Sequence, residues 1–380
     1  MNFIALLIIL LSVLAVPLAV WYALKRLQIK QAWGALLFGG ILALFFIGLW
    51  VYDVSGALRH NHYRQVSEFL KTEWRLPDYD ADHWETSLLA MSTIAEALAD
   101  YGTRYPDKRT EVQEMLEKIV INVSQEQFFP EINKSGNWKN QGLYLSQLSI
   151  ILGAFAQNDT AGVYTAFQEK VTTYLAREIS RSPYRHLLSF PKGIKYWTCD
   201  NAAVLYGLAC FDRQMQASLS AGPVKDWVAF VNRELIYERS TLPCSAFTTT
   251  NKCEVMPTGN HLAWMLAYVA DLNRPFAKDI WRQYKHYFKD NFMLSWASAT
   301  YYLPDDEPPA YVSENQRVME RVSPSVVALR AAAHLEDRIT YHQLNNRLLL
   351  QDLFRRQSIV SKTWRQWLEL GIRFSAECHR

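Results

Sequence analysis

Apolar residues dominate the first fifty positions with almost no interruption, and beyond them they recur at helical spacing. Phe3 to Leu24 and Ala32 to Val51 are each about 20 residues of nearly pure hydrocarbon character, enough for a helix to cross roughly 30 Å of bilayer core. The sequence therefore predicts a two-helix transmembrane hairpin over residues 1–55, with spans near 3–24 and 32–52. A cleaved signal peptide competes for the first run, but no basic segment precedes it and a second span follows at once. Lys25, Arg26 and Lys30 lie between the runs and place that turn in the cytosol. Both termini and the soluble domain then face outward, in a periplasm if the membrane is a bacterial inner membrane. Trp21, Tyr22, Trp33, Trp50 and Tyr52 stand near the span ends, where interfacial aromatics collect.

From about residue 86 the pattern changes to a regular beat. Leu88–Leu98, Leu143–Phe155, Ala202–Phe211, Leu262–Val269 and Val326–Leu335 read as helices apolar nearly all round. Each is followed by a more amphipathic helix: Val112–Val123, Val163–Ile179, Val224–Leu235, Ala277–Phe288 and Tyr341–Phe354. The first helices start at steps of roughly 55–65 residues, a period that marks stacked helical hairpins. No run alternates with the period of a strand. A helix apolar on every side needs neighbours on every side, which favours a closed all-α ring, an (α/α)6 toroid over residues 56–380, above an open solenoid. Terminal helices around His62–Glu73 and Ser361–Phe374 then complete or cap the ring.

Closure gathers the loops before the first helices at one end, and those loops hold the unusual residues. They are Trp84 and Glu85; Trp138, Asn140 and Gln141; Tyr196, Trp197, Cys199, Asp200 and Asn201; Thr258, Asn260 and His261; and Glu314 with Arg317. Asp200 reads either as a helix cap or as a general acid or base beside two aromatic rings and the Cys199 thiol. His261, in the first turn of its helix, reads either as a wall residue or as a base kept neutral by the helix dipole. Glu314 is the spare carboxylate, with Arg317 and Arg321 following at helical spacing. Trp84, Trp138, Gln141, Tyr196, Trp197, Asn201, Asn260 and Arg317 are the candidate substrate contacts. The acidic run Asp305-Asp306-Glu307 reads as a solvated lid.

Composition adds little to this picture. With 13 Trp and 20 Tyr in 380 residues the aromatic load suits a sugar or apolar-ligand site, but also a large core and a membrane interface. A net charge of +3 without a Lys/Arg run gives no footprint for nucleic acid. Cys244 and Cys253 flank a short polar loop that can close as a disulfide in an oxidising compartment. No metal or organic cofactor is implied, although a carboxylate-lined mouth has room for calcium.

CDNAAVLYGLACFDR with DWVAFVNRELI, and NHLAWMLAYVADLNRPFAKDIWRQYKHYF, resemble the linalool dehydratase/isomerase family; QGLYLSQLSIILGAF matches more weakly. The resemblance spans about residues 140–290 and implies an (α/α)6 barrel. It also implies cysteines with an acid/base His and Asp that move water and a double bond on an isoprenoid alcohol. One cysteine position of that pattern falls on Asp200, with Cys199 one residue before it, and the other falls near Pro191. The expectation is thus a membrane-anchored lyase or isomerase acting on an isoprenoid or sugar-containing substrate. The alternatives are a glycoside hydrolase-like enzyme, a ligand-binding barrel, or a non-catalytic envelope subunit with a membrane partner.

Overall fold

A computed structural model describes residues 18–26, 32–77, 83–124, 138–159, 161–293, 296–304, 318–354 and 362–380. Glu314, Arg317, the acidic run at 305–307 and most of the first apolar run lie outside them. The chain is almost entirely helical, as the beat of apolar positions requires. A helix at 18–26 (α1) and Ala32–Val54 (α2) precede Ala57–Lys71 (α3). Then come Trp84–Arg104 (α4), Arg109–Ser124 (α5), Gly142–Asn158 (α6), Thr165–Arg181 (α7), Thr198–Met215 (α8) and Ala221–Glu234 (α9). Gly259–Leu272 (α10), Arg274–Phe288 (α11), Val318–Arg321 (α12), Pro324–His334 (α13), Arg338–Phe354 (α14) and Trp364–His379 (α15) complete the set.

Helix ends follow from local chemistry. Pro324 opens α13 behind an extended Ser323, where its missing N–H costs nothing. Asn273 accepts from the Phe276 N–H to start α11, and Thr363 forms a capping box with Gln366 at α15.

Two kinds of helix emerge. Fifteen of the seventeen residues of α6 are buried, whereas α7 buries one stripe only, Gln168, Val171, Thr172, Leu175, Ala176 and Ile179. The fully buried helices pack in cyclic order: α4 on α6, α6 on α8, α8 on α10, α10 on α13, α13 on α15, and α15 back on α4. The striped helices α5, α7, α9, α11 and α3 lie outside them, as does α14, which is buried on every side from Thr340 to Asn346. Close crossings need small residues. A Cβ on Gly371 of α15 would meet Thr93 Oγ1 at 2.5 Å, so α15 and α4 touch at this distance only with glycine there.

Strands are a correction to the sequence reading, which expects none. Tyr196–Trp197 (β1) pairs antiparallel with Ala246–Phe247 (β4), Ile236–Tyr237 (β2) with Leu242–Pro243 (β3), and Lys289–Met293 (β5) with Trp296–Ala299 (β6). Each is too short for period-2 alternation to show in the sequence. They staple the loops at the amino ends of the inner helices. Gly259 lets the β5–β6 hairpin approach α10: its N–H donates to Tyr301 O at 2.8 Å, and a Cβ there would lie 2.1 Å from Thr300 O.

Counted on the described residues, no helix is long and apolar enough to cross a membrane. The placement of α2 is nonetheless specific. Near its carboxyl end Asp53 is buried, accepts from Arg380 at 2.7 Å, and lies 3.4 Å from both His342 Nδ1 and Asn345 Nδ2. Leu49 and Tyr52 line a cavity of about 800 Å³ together with Leu348 and Leu349 of α14. Since α14 runs from the carboxyl ends of the inner helices towards their amino ends, α2 runs beside it in reverse. Its seventeen residues before Leu49 rise about 26 Å, while α14 has only about 8 Å left beyond Leu349. The amino half of α2 therefore overhangs the amino ends of the inner ring, and there Trp33 is 73% exposed, Leu37 70% and Leu44 70%.

Candidate functional site

The predicted site residues gather mainly where α8 and α10 begin, side by side in the ring. Pairing of β1 with β4 lays the 244–258 segment across the start of α8, with Thr198 N donating to Ser245 O and Thr198 Oγ1 to Cys244 O. Cys244 and Cys253 close that segment as a disulfide, their Cα atoms 5.4 Å apart. Beneath it Trp197 stacks on His261, ring centroids 4.8 Å apart, which joins the first turns of the two helices.

Asp200 is 3% exposed, and its two oxygens accept from Ser189 Oγ at 2.5 Å and from Cys199 Sγ at 3.6 Å. His261 is 1% exposed, with Nδ1 2.7 Å from Thr258 Oγ1; Thr258 N in turn accepts support by donating to Ser245 Oγ at 3.1 Å. Carboxylate, thiol, hydroxyls, imidazole and indole thus occupy one corner of the ring. Proton transfer needs such a set: two titratable groups, each oriented by a fixed hydroxyl partner. Neither Ser189 nor Ser245 is legible in the sequence as a site residue, because both sit in irregular loops without a motif.

Other predicted contacts have structural work instead. Asn201 accepts from Leu187 N at 2.7 Å and donates to Leu187 O and Trp197 O, pinning the 182–190 loop to α8. Asn260 donates to Val322 O at 2.9 Å and ties α10 to the segment entering α13. Tyr196 stacks on Phe247. Gln141 and Trp84, both buried, open α6 and α4 further round the same rim. Trp138 departs from the expectation: its ring packs edge-on against Tyr174 with Lys170 Nζ 5.2 Å above it, both on the outer helix α7. It faces the outside of the wall.

The opposite end of the ring holds a cluster that the sequence reading missed. A cavity of about 940 Å³ opens at the carboxyl ends of the inner helices, lined by Glu96, Asp100, Tyr206, Cys210, Asp271 and His379 among others. Burial pushes Glu96 up to about 7 even with Arg330 beside it, raises Asp100, and pushes the Cys210 thiol up to about 12. The charge of His334, with burial second, lowers His379 to about 4. Burial works against ionisation of Asp271, but His334's hydrogen bond and charge outweigh it and hold the carboxyl low. Part of the signal was available in the sequence: Asp100, Asp271, His334 and His379 each stand near the carboxyl end of an inner helix.

Compared with known proteins, the chain matches no family model and no curated protein. Its function has to be read from the residues.

Proposed function

We propose that the chain is a membrane-anchored (α/α)6 toroid with an acid/base site at its mouth, acting by lyase or isomerase chemistry on an isoprenoid or sugar-containing amphiphile outside the cytosol. The observation that carries this reading is the Trp197–His261 stack, which brings Cys199, Asp200 and His261 to one corner. There one group can protonate a leaving hydroxyl while the other removes a proton from the adjacent carbon. The C–O bond then breaks, the C=C bond forms, and water departs. The cyclic packing of six buried helices supports the toroid, and the partial resemblance noted above points to the same chemistry.

Anchorage is supported by α2 itself. Its sequence from Ala32 to Tyr52 holds no charged residue. Its exposed Trp33, Leu37 and Leu44 have no place in water at that density. This overhang on the mouth side supports a mouth that faces a bilayer, where an amphiphilic substrate resides. After alkaline carbonate washing the full chain is expected to stay in the membrane pellet, and a chain lacking residues 1–47 to move to the supernatant. Release of the full chain would remove the anchor from the reading.

The chemistry is tested by lipid and glycan profiling of cells making the wild-type chain, Asp200→Asn or His261→Ala at equal abundance. Any product that depends on the wild-type chain is expected to vanish in both variants. Profiles that do not change between wild type and variants sink the enzyme assignment. A second reading, a non-catalytic envelope subunit or ligand-holding barrel, is favoured by the near-complete burial of Asp200 and His261. It predicts a stoichiometric partner or a retained amphiphile after purification in mild detergent.

A further inference from the structure

The far end of the ring brings three potential ligands, one carboxylate and two imidazoles, together from three inner helices. Asp271 ends α10, His334 ends α13 and His379 ends α15. One ligating atom of each lies within 4.8 Å of the other two. His334 is 2% exposed, with Nδ1 3.4 Å from Asp271 Oδ2, and its ring stacks on His379 at 3.8 Å. Nε2 of His334 has no hydrogen-bond partner among the described residues. A buried imidazole nitrogen in that state costs free energy unless something occupies it.

We propose that Asp271, His334 and His379 bind one divalent transition-metal ion of the zinc class, at a second site remote from the mouth. Two imidazoles and one carboxylate are a donor set that zinc accepts, while calcium and magnesium prefer oxygen ligands throughout. A tetrahedral ion with bonds near 2.0–2.1 Å sets its ligands about 3.3 Å apart, so the trio must draw in from 4.8 Å. Both histidine rings, stacked at 3.8 Å, would have to turn about their side-chain torsions to aim a nitrogen each at the metal. Three protein ligands leave a fourth position open, as in sites that hold water or substrate on the metal. Asp271 and His379 both line the 940 Å³ cavity, so this position faces a space large enough for a small molecule. Around it, Arg330 pairs with Glu96 at 2.7 Å and Arg274 with Glu336 at 3.1 Å; Arg213, which donates to Cys210 Sγ at 3.2 Å, is a neighbouring cation whose charge acts on Asp271.

The test is Zn²⁺ uptake by the full chain in mild detergent, stripped with chelator and titrated against a chromophoric competitor. One equivalent is expected, with a rise in the thermal midpoint of the loaded protein. Co²⁺ in its place is expected to give the intense visible absorption of a four- or five-coordinate ion. His379→Ala and Asp271→Asn are each expected to weaken Zn²⁺ by about tenfold or more. His286→Ala on the outer helix α11, and Asp200→Asn at the mouth, are expected to bind like the wild type. His379→Ala removes a ring at the end of the last helix, and its metal-free thermal midpoint shows whether the ring still folds; Asp271→Asn gives the same readout with the side-chain shape retained. Absence of a saturable equivalent in the wild type overturns the site. So does uptake that neither variant changes.

Discussion

Replacing Glu96 by methionine is expected to cost about 3–5 kcal/mol of stability, more than replacing its partner Arg330 by the same residue. Arg330 projects from α13 into the centre of the ring with a side chain 0% exposed, and its Nη2 donates to Glu96 Oε2 at 2.7 Å. Its guanidinium also lies 5.0 Å from the Trp264 ring centroid and 4.7 Å from that of Tyr268. Deleting one member of a buried pair strands the other, and the two stranded groups differ in one respect. A guanidinium cannot shed its charge in a protein, whereas a carboxyl can take a proton. Glu96 is already raised to about 7 by burial, so without Arg330 it goes neutral near physiological pH. Arg330→Met should therefore lose the cation–π contacts and one hydrogen bond, about 1–3 kcal/mol, and less below pH 6. The double Glu96→Met, Arg330→Met chain should recover most of the loss, because methionine fills irregular space without a polar atom to satisfy. Urea unfolding of the four chains at pH 7.5 and pH 5.5 reads this directly. Equal losses for the two single variants at both pH values would refute the account.

The same pair shows why the sequence revealed one end of the ring and not the other. Alternation of buried helices with more polar ones is a periodic property, and the sequence placed five helix pairs of the ring to within a few residues at each end. His62–Glu73 and Ser361–Phe374, expected to complete or cap the ring, correspond to the outer helix α3 and the inner helix α15. Loops before inner helices also advertise themselves, because Trp, Asn, Asp and His crowd into short irregular segments there. Glu96, Asp271, His334 and His379 instead hide inside apolar runs such as AEALAD and AAAHLED, where each alone reads as a tolerated polar residue near a helix end. Only closure of the ring brings Glu96 to Arg330, 234 positions away, and periodicity within one helix carries no information about which neighbour it will meet. Trp138 failed for the complementary reason. Its position in a loop before α6 was legible, but the side of the wall it faces depends on Tyr174 and Lys170 of α7.

Acidification from pH 7 to pH 5 is expected to lower the stability of the full chain: His186 and His342 together remove about 4 kcal/mol, Glu96 returns about 2 kcal/mol, and His379, also lowered, deepens the fall. His186 donates from Nδ1 to Tyr184 O at 2.8 Å and accepts at Nε2 from Trp227 Nε1–H at 2.9 Å. Burial lowers His186 to about 4 against the opposing hydrogen bond to Tyr184 O, and a second proton would point at the indole N–H. His342 is also lowered to about 4, chiefly by burial, with Asp53 beside it already engaged by Arg380. Groups whose folded pKa lies below the unfolded value of about 6.5 stabilise the neutral form. Their contribution is complete above pH 6.5 and is lost as pH falls towards 4, about 2 kcal/mol each by pH 5. Glu96 runs the other way. Raised from about 4.5 to about 7, it weakens the fold at neutral pH and is relieved on acidification by about 2 kcal/mol. Thermal midpoints between pH 7 and pH 5 should therefore fall in the wild type and clearly less in His342→Gln, which lacks one histidine contribution of about 2 kcal/mol. In Glu96→Met, which lacks the opposing carboxyl, the loss of stability between the two pH values should exceed that of the wild type by about 2 kcal/mol. A Glu96→Met chain with the same pH slope as the wild type would show that this carboxyl is ionised in the folded protein across the whole range, and the balance of terms would have to be redrawn around the histidines alone.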